Sequence, residues 1–100
     1  MRPDYLANCP ARGTQENLFP RRAYAKFVCE GVIEWYICEY DEETEECFGY
    51  LRYLDKHKNW SDWGLFDLPE LLAFRGDNGE QAVLDESFVS QMIDFPELMP

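Results

Sequence analysis

The chain is short of positive charge. It carries 9 lysines and arginines against 20 aspartates and glutamates, a net charge of −11, with a sequence pI near 4.3. A protein that grips DNA or RNA through phosphates needs the opposite sign, so direct nucleic-acid binding is excluded. Histidine is scarcer still. His57 is the one copy, set between Lys56 and Lys58 in a polar stretch. Histidine chemistry needs an orienting partner, and a lone histidine flanked by lysines reads as solvated. No run approaches the roughly 20 apolar residues of a membrane span, and Met1 to Pro10 lacks the apolar centre of a signal peptide. There is no internal repeat, no phosphate-cradling glycine loop, and no nucleophile elbow around Ser61, Ser87 or Ser90. Cys9, Cys29, Cys38 and Cys47 include no Cys-x-x-Cys pair, which structural zinc sites usually contain. Without an export signal they read as reduced thiols in a cytoplasm. The acidic run Asp41 to Glu46 lacks the glycine and ligand spacing of a calcium loop. The expectation is therefore a protein that is not an enzyme, with no catalytic residue, no cofactor and no metal.

What is present is apolar and aromatic. Hydrophobic residues make up 46% of the 100 positions and aromatics 16%. That is enough to offset chain entropy, so the chain folds as one small domain in which aromatic burial matters most. Pro3, Pro10, Gly13 and Pro20 break the start into an irregular arm over 1–22, with one helical turn near Asp4 to Asn8. Ala23 to Cys29, Val32 to Tyr40 and Cys47 to Leu54 read as strands, rich in β-branched and aromatic residues. Glu30-Gly31 supplies a tight turn between the first two. Asp41 to Glu46 supplies an exposed loop before the third. Asp55 to Asp62 is a polar loop and Trp63 to Phe66 a short fourth strand. Asp67 then caps a helix over Pro69 to about Phe74. Ala82 to Leu84 reads as an edge strand and Asp85 to Ile93 as a second helix, with Phe88 and Met92 one turn apart.

The predicted fold class is α+β: an antiparallel meander of three to four strands, with one or two short helices packed on one face. The domain spans 23–94, followed by a tail over 95–100. On the middle strand Ile33, Trp35, Ile37 and Glu39 share one face, with Ile33, Trp35 and Ile37 as the core side. Phe48, Tyr50 and Arg52 are expected on that same side. Val32, Glu34, Tyr36 and Cys38 share the other, with Cys38 and Cys47 as diagonal neighbours, and that other side is expected to be wet.

The charge is uneven. Residues 1–29 hold five bases and two acids, net +3, whereas residues 30–100 hold four bases and eighteen acids, net −14. The densest stretch, 30–46, contains Glu30, Glu34, Glu39, Asp41, Glu42, Glu43, Glu45 and Glu46 and no base. Such a run reads either as a solvated loop or as a surface that imitates nucleic-acid phosphates and meets a basic partner. The aromatics exceed what one core face can hide. Exposed tyrosine or tryptophan beside carboxylates suits protein contact better than base stacking.

Ala25-Lys26-Phe27, Trp35-Tyr36 running into Glu39-Tyr40-Asp41, Phe48-Gly49-Tyr50-Leu51, Gly64-Leu65-Phe66-Asp67-Leu68-Pro69-Glu70-Leu71 and Asp85-Glu86-Ser87-Phe88 follow in order. This order resembles a family of small uncharacterised proteins, a domain of unknown function borne on conjugative plasmids, phages and other bacterial mobile elements. The resemblance covers about residues 23–88. The family closes on Glu-Arg-Asp where this chain has Leu84-Asp85-Glu86, so its arginine is missing. The family has no assigned catalytic residues to carry over. It implies a mobile-element protein in the cytoplasm of a bacterial host.

Together these readings predict a non-enzymatic acidic inhibitor of anti-CRISPR or anti-restriction type. It would occupy the basic groove of a nucleic-acid-binding host defence complex. Glu39, Asp41, Glu42, Glu43, Glu45 and Glu46 are the expected contacts, with Glu30, Glu34 and Asp62 secondary and Tyr40 or Trp60 as anchors. The alternatives are an accessory protein-interaction module of a phage or conjugative element, and a thiol or metal protein.

Overall fold

A computed structural model describes residues 3–15, 21–55 and 58–93. His57, the tail over 95–100, and residues 1–2 and 16–20 of the expected arm lie outside that description. Among the described residues seven strands follow in chain order: β1 (Arg21–Ala23), β2 (Ala25–Cys29), β3 (Ile33–Tyr40), β4 (Glu46–Tyr53), β5 (Asp62–Asp67), β6 (Val83–Leu84) and β7 (Gln91–Ile93). One helix, α1 (Leu68–Ala73), and 3-10 turns at Asp4–Leu6 and Lys58–Trp60 complete the elements. The main sheet is antiparallel, in the order β5-β4-β3-β2-β6. β1 and β7 form a separate antiparallel ribbon.

The expected α+β class is overturned: sheet dominates, and the only α-helix among the described residues is six residues long. The second helix expected over Asp85 to Ile93 does not form. Asp85 Oδ1 accepts the Ser87 N–H at 3.0 Å and its hydroxyl at 2.6 Å, and the Asp85 carbonyl accepts the Phe88 N–H. That local turn diverts the backbone from a helix, and Gln91–Ile93 then pairs with Arg21–Ala23. The i, i+4 spacing of Phe88 and Met92 is a coincidence of a turn followed by a strand.

Strand alternation still explains most of the packing. On the first face Phe27, Cys29, Ile33, Trp35, Ile37, Tyr40 and Cys47 are buried beneath Leu6 and Cys9 of the N-terminal segment and Leu68 and Leu71 of α1. On the second face Tyr36, Cys38 and Tyr50 are buried with Ala23 and Ile93 of the ribbon, and Phe48, Trp63 and Phe88 pack around them. Both faces are therefore covered, which corrects the expectation of one wet side. The segment read as an irregular arm supplies core residues and β1.

The register also departs from expectation. Trp35 lies opposite Leu51 and Tyr36 opposite Tyr50, so Tyr50 and Arg52 share the face of Glu34 and Tyr36. A bulge then falls between Ile37 and Glu39, leaving Cys38 as the extra residue. It reverses the parity of the strand end. Tyr40, not Glu39, joins Ile37 in the first core, and Cys38 and Cys47 end on different faces. Gly49, opposite Ile37, makes this possible: a Cβ there would sit 1.8 Å from the Tyr36 carbonyl oxygen. At the other end of the hairpin Gly31 takes φ +76, a conformation that favours glycine.

Candidate functional site

The fold divides the expected acidic contacts among four places. Asp41, Glu42, Glu43, Glu45 and Glu46 sit at the β3–β4 end of the sheet, where 42–45 are exposed. Asp41 organises that loop: its carboxylate accepts the N–H groups of Glu43 at 2.9 Å and Thr44 at 3.3 Å, and its carbonyl accepts the Glu45 N–H. Glu45 takes a positive φ of 61° to close the loop. Glu30 lies in the β2–β3 turn, at the opposite end of an eight-residue strand, about 25 Å away at strand rise. Asp62 pairs with Leu51 near that same far end, and the 62%-exposed Trp60 packs edge-on against Tyr53 there.

Pairing with β5 adds acids that the sequence reading missed. Asp67 falls directly opposite Glu46. The Leu68 N–H donates to the Glu45 carbonyl at 2.9 Å, which brings the first turn of α1, with Glu70, against the loop. The Asp67 side chain makes no capping bond. Like charges facing each other across strands are destabilising, and Arg12 relieves the pair by bridging Glu46 at 2.9 Å. A shallow cleft of about 410 Å³ between Ala11, Arg12, Tyr40 and Asp41 to Glu43 opens beside the loop. Only the β4–β5 register brings these acids to the loop, and no residue pattern within Trp63 to Glu70 marks it.

Glu39 and Tyr40 are corrections, because both are buried at 1% exposure rather than displayed to a partner. The Glu39 carboxylate accepts the Gly13 N–H at 2.7 Å and the Gln15 N–H at 2.6 Å, and the Arg12 guanidinium lies 3.6 Å from it. Gln15 is buried as well. Its amide donates to the Cys38 carbonyl at 2.9 Å and the Arg22 carbonyl at 3.1 Å, and accepts from the Arg22 N–H at 2.7 Å. The carbonyl that the bulge releases from the ladder thus finds its donor in the N-terminal segment. This is an internal tie. Nothing in the alternation of residues 1–22 marks Arg12 or Gln15; only the bulge explains them.

Glu34 is the fourth place, on the second face and mostly shielded. It accepts the Tyr36 hydroxyl at 2.7 Å and lies 3.4 Å from Lys26 and 3.6 Å from Arg52. Burial, then Glu34, pushes the Tyr36 phenol upward. For Lys26, burial acts to lower the pKa, but Tyr36 and Glu34 outweigh it and the net shift is upward. This carboxylate is neutralised by its neighbours and adds little to a negative field.

Burial raises the pKa of three of the thiols, Cys29, Cys38 and Cys47. Burial first, then Cys9, pushes Cys38 and Cys47 up to about 12, which suppresses the reactive thiolate. Among the described residues no cluster of histidine, cysteine, aspartate or glutamate is arranged to hold a metal. No helix among them is long and apolar enough to cross a membrane. No family model, curated protein or solved structure matches the chain.

Proposed function

We propose that the chain is a non-enzymatic binding protein whose acidic end docks against a basic, nucleic-acid-binding surface of a host defence complex, in the manner of an anti-CRISPR or anti-restriction inhibitor. The mobile-element setting implied by the ordered motifs, and action in the bacterial cytoplasm, belong to the same proposal. The observation that carries it is the register that sets Asp67 against Glu46, with Glu70 and the Asp41 to Glu45 loop alongside. Charge gathered this way at one end costs the fold stability and suits a cationic groove, where it would raise the association rate and exclude uncharged partners. Glu30, Glu34, Glu39, Asp62 and Trp60 are not part of this surface.

The test is retention of bacterial lysate proteins on the immobilised chain across a salt gradient, with duplex DNA and RNA as competitors. The reading requires retained proteins that themselves bind nucleic acid, that nucleic acid displaces, and that are lost steeply as salt rises. Substituting Asp41→Asn, Glu42→Gln, Glu43→Gln and Glu45→Gln together should weaken retention at least about tenfold. Unchanged retention by that variant, or indifference to both salt and nucleic acid, would overturn it.

A further inference from the structure

The sheet has two edges, and they are finished differently. β6 is two residues long, and beyond it Asp85 folds back so that its N–H donates to the Lys26 carbonyl. β5 is six residues long, and among the described residues no strand pairs with its outer side.

The ladder fixes which backbone groups of β5 face outward. The Tyr40 N–H points away from β4, to the Pro10 carbonyl, so its partner Cys47 directs its backbone bonds to β5. The partners of Cys47, Gly49 and Leu51, which are Phe66, Gly64 and Asp62, therefore carry the β4–β5 bonds. Trp63, Leu65 and Asp67 alternate with them and turn their backbone groups off the edge. The Trp63 N–H agrees, since it meets the Asp62 side chain at 2.7 Å. Leu65 is 53% exposed, and a Cβ at Gly64 would meet nothing within 4 Å, so the edge is also sterically open.

We infer that the β5 edge accepts an extended segment of a partner as an added antiparallel strand, with a cationic side chain at each end. The length and the charges select that occupant. Asp62 and Asp67 stand at the two ends of the strand, and among the described residues neither carboxylate is in an ion pair. A second copy of β5 centred antiparallel on the first would set Asp62 against Asp67 twice, and like charges directly opposite disfavour it. A six-residue segment with lysine or arginine at both ends meets an aspartate at each. Its third and fifth residues fall opposite Leu65 and Trp63 on the same face and would be apolar. Main-chain bonds would give the affinity, and the end charges and alternate side chains the selectivity. This goes beyond the acidic-loop reading, because Asp62, Asp67 and the edge remain when residues 41–45 are neutralised.

The probe is the blocked peptide Lys-Thr-Val-Thr-Val-Lys, titrated into the full chain carrying 15N, with amide shifts as readout. The inference expects the largest shifts and slowed exchange at Leu65 and Asp67. Binding should weaken about tenfold when both lysines are replaced by glutamate, given the energy of paired charges on a binding surface. Methylating the amide nitrogen of the peptide's central valine, which leaves the protein untouched, should also abolish the shifts. Leu65→Pro removes an outward N–H that makes no bond to β4 and should do the same from the protein side. The loop-neutralised variant should keep the peptide. Shifts confined to β6, absence of binding, equal binding of the glutamate-ended or methylated peptide, or binding that needs the intact loop would each overturn the assignment.

Discussion

Glu39 and Glu43 are four residues apart and carry the same charge, yet the fold treats them as different substances. Glu39 is enclosed, with two backbone N–H donors and Arg12 around it, whereas Glu43 is exposed at a loop tip. What separates them is one inserted residue. Without the bulge, strict alternation would place Glu39 on the face of Ile33, Trp35 and Ile37, among apolar side chains with no donors, at a cost of several kcal/mol. The extra residue turns Glu39 toward Arg12 and Gln15 and gives its place to Tyr40. Part of a continuous acidic run is thus structural and the rest is surface.

The strongest way to break that division is to remove the space the bulge needs. Gly49→Ala would drive a Cβ into the Tyr36 carbonyl, and backbone on both sides leaves no side chain to yield. We expect a loss of about 4 kcal/mol or more, at the upper end for single substitutions, read by chemical denaturation. Stability within 1 kcal/mol of the parent would show that the bulge is not what sorts these acids. Next in size is Glu39→Ala, which removes the acceptor of the buried Gln15 N–H and of the Gly13 N–H together with one of the two carboxylates beside Arg12, and should cost about 3 kcal/mol. The same substitution at Glu43 should change stability by less than about 0.5 kcal/mol. Equal losses at the two positions would erase the distinction.

The sequence was legible where side-chain pattern decides and illegible where backbone geometry does. The β-branched and aromatic run of Val32 to Tyr40, the Glu30-Gly31 turn and the polar loop after Tyr40 all declare themselves, because each depends on residue type within a short window. The bulge does not. It depends on Gly49 meeting Ile37 across the sheet, a relation between residues twelve apart. Every consequence followed it out of reach: the burial of Glu39, the core place of Tyr40, the parting of Cys38 from Cys47 and the use of Gln15. Asp67 and Glu70 were missed for a related reason, since only the β4–β5 register carries them to the loop. Met92 misled because an Asx turn at Asp85 competes with a helix that the i, i+4 spacing favours.

A smaller effect distinguishes the same two regions by pH. Burial holds Cys38, beside Glu39, at about 12, above the thiol's ordinary 9. The folded chain therefore keeps a proton that the unfolded chain releases between those values. The stability from this group is complete below pH 9 and declines as pH rises through 12. By pH 10 the loss should be about 1 kcal/mol from this thiol, and Cys47 adds a decline of the same sign. Unfolding measured at pH 8, 9, 10 and 11 should show this fall, and Cys38→Ala should make it shallower, leaving the part due to Cys47. A stability that rises with pH over that range would contradict the enclosed environment at the strand end.

The smallest expected effect on the fold is the most telling for function. Neutralising Asp41, Glu42, Glu43 and Glu45 with their amides keeps the side-chain oxygen of residue 41 that orders the loop, so stability should move by less than about 0.5 kcal/mol. A gain toward that limit would mean that mutual repulsion is being relieved at this end of the sheet. The same variant should lose most of its salt-sensitive binding. Large loss of binding with unchanged stability is the mirror image of Glu39→Ala. A variant that unfolds instead would place the loop carboxylates with Glu39, as parts of the fold rather than of its surface.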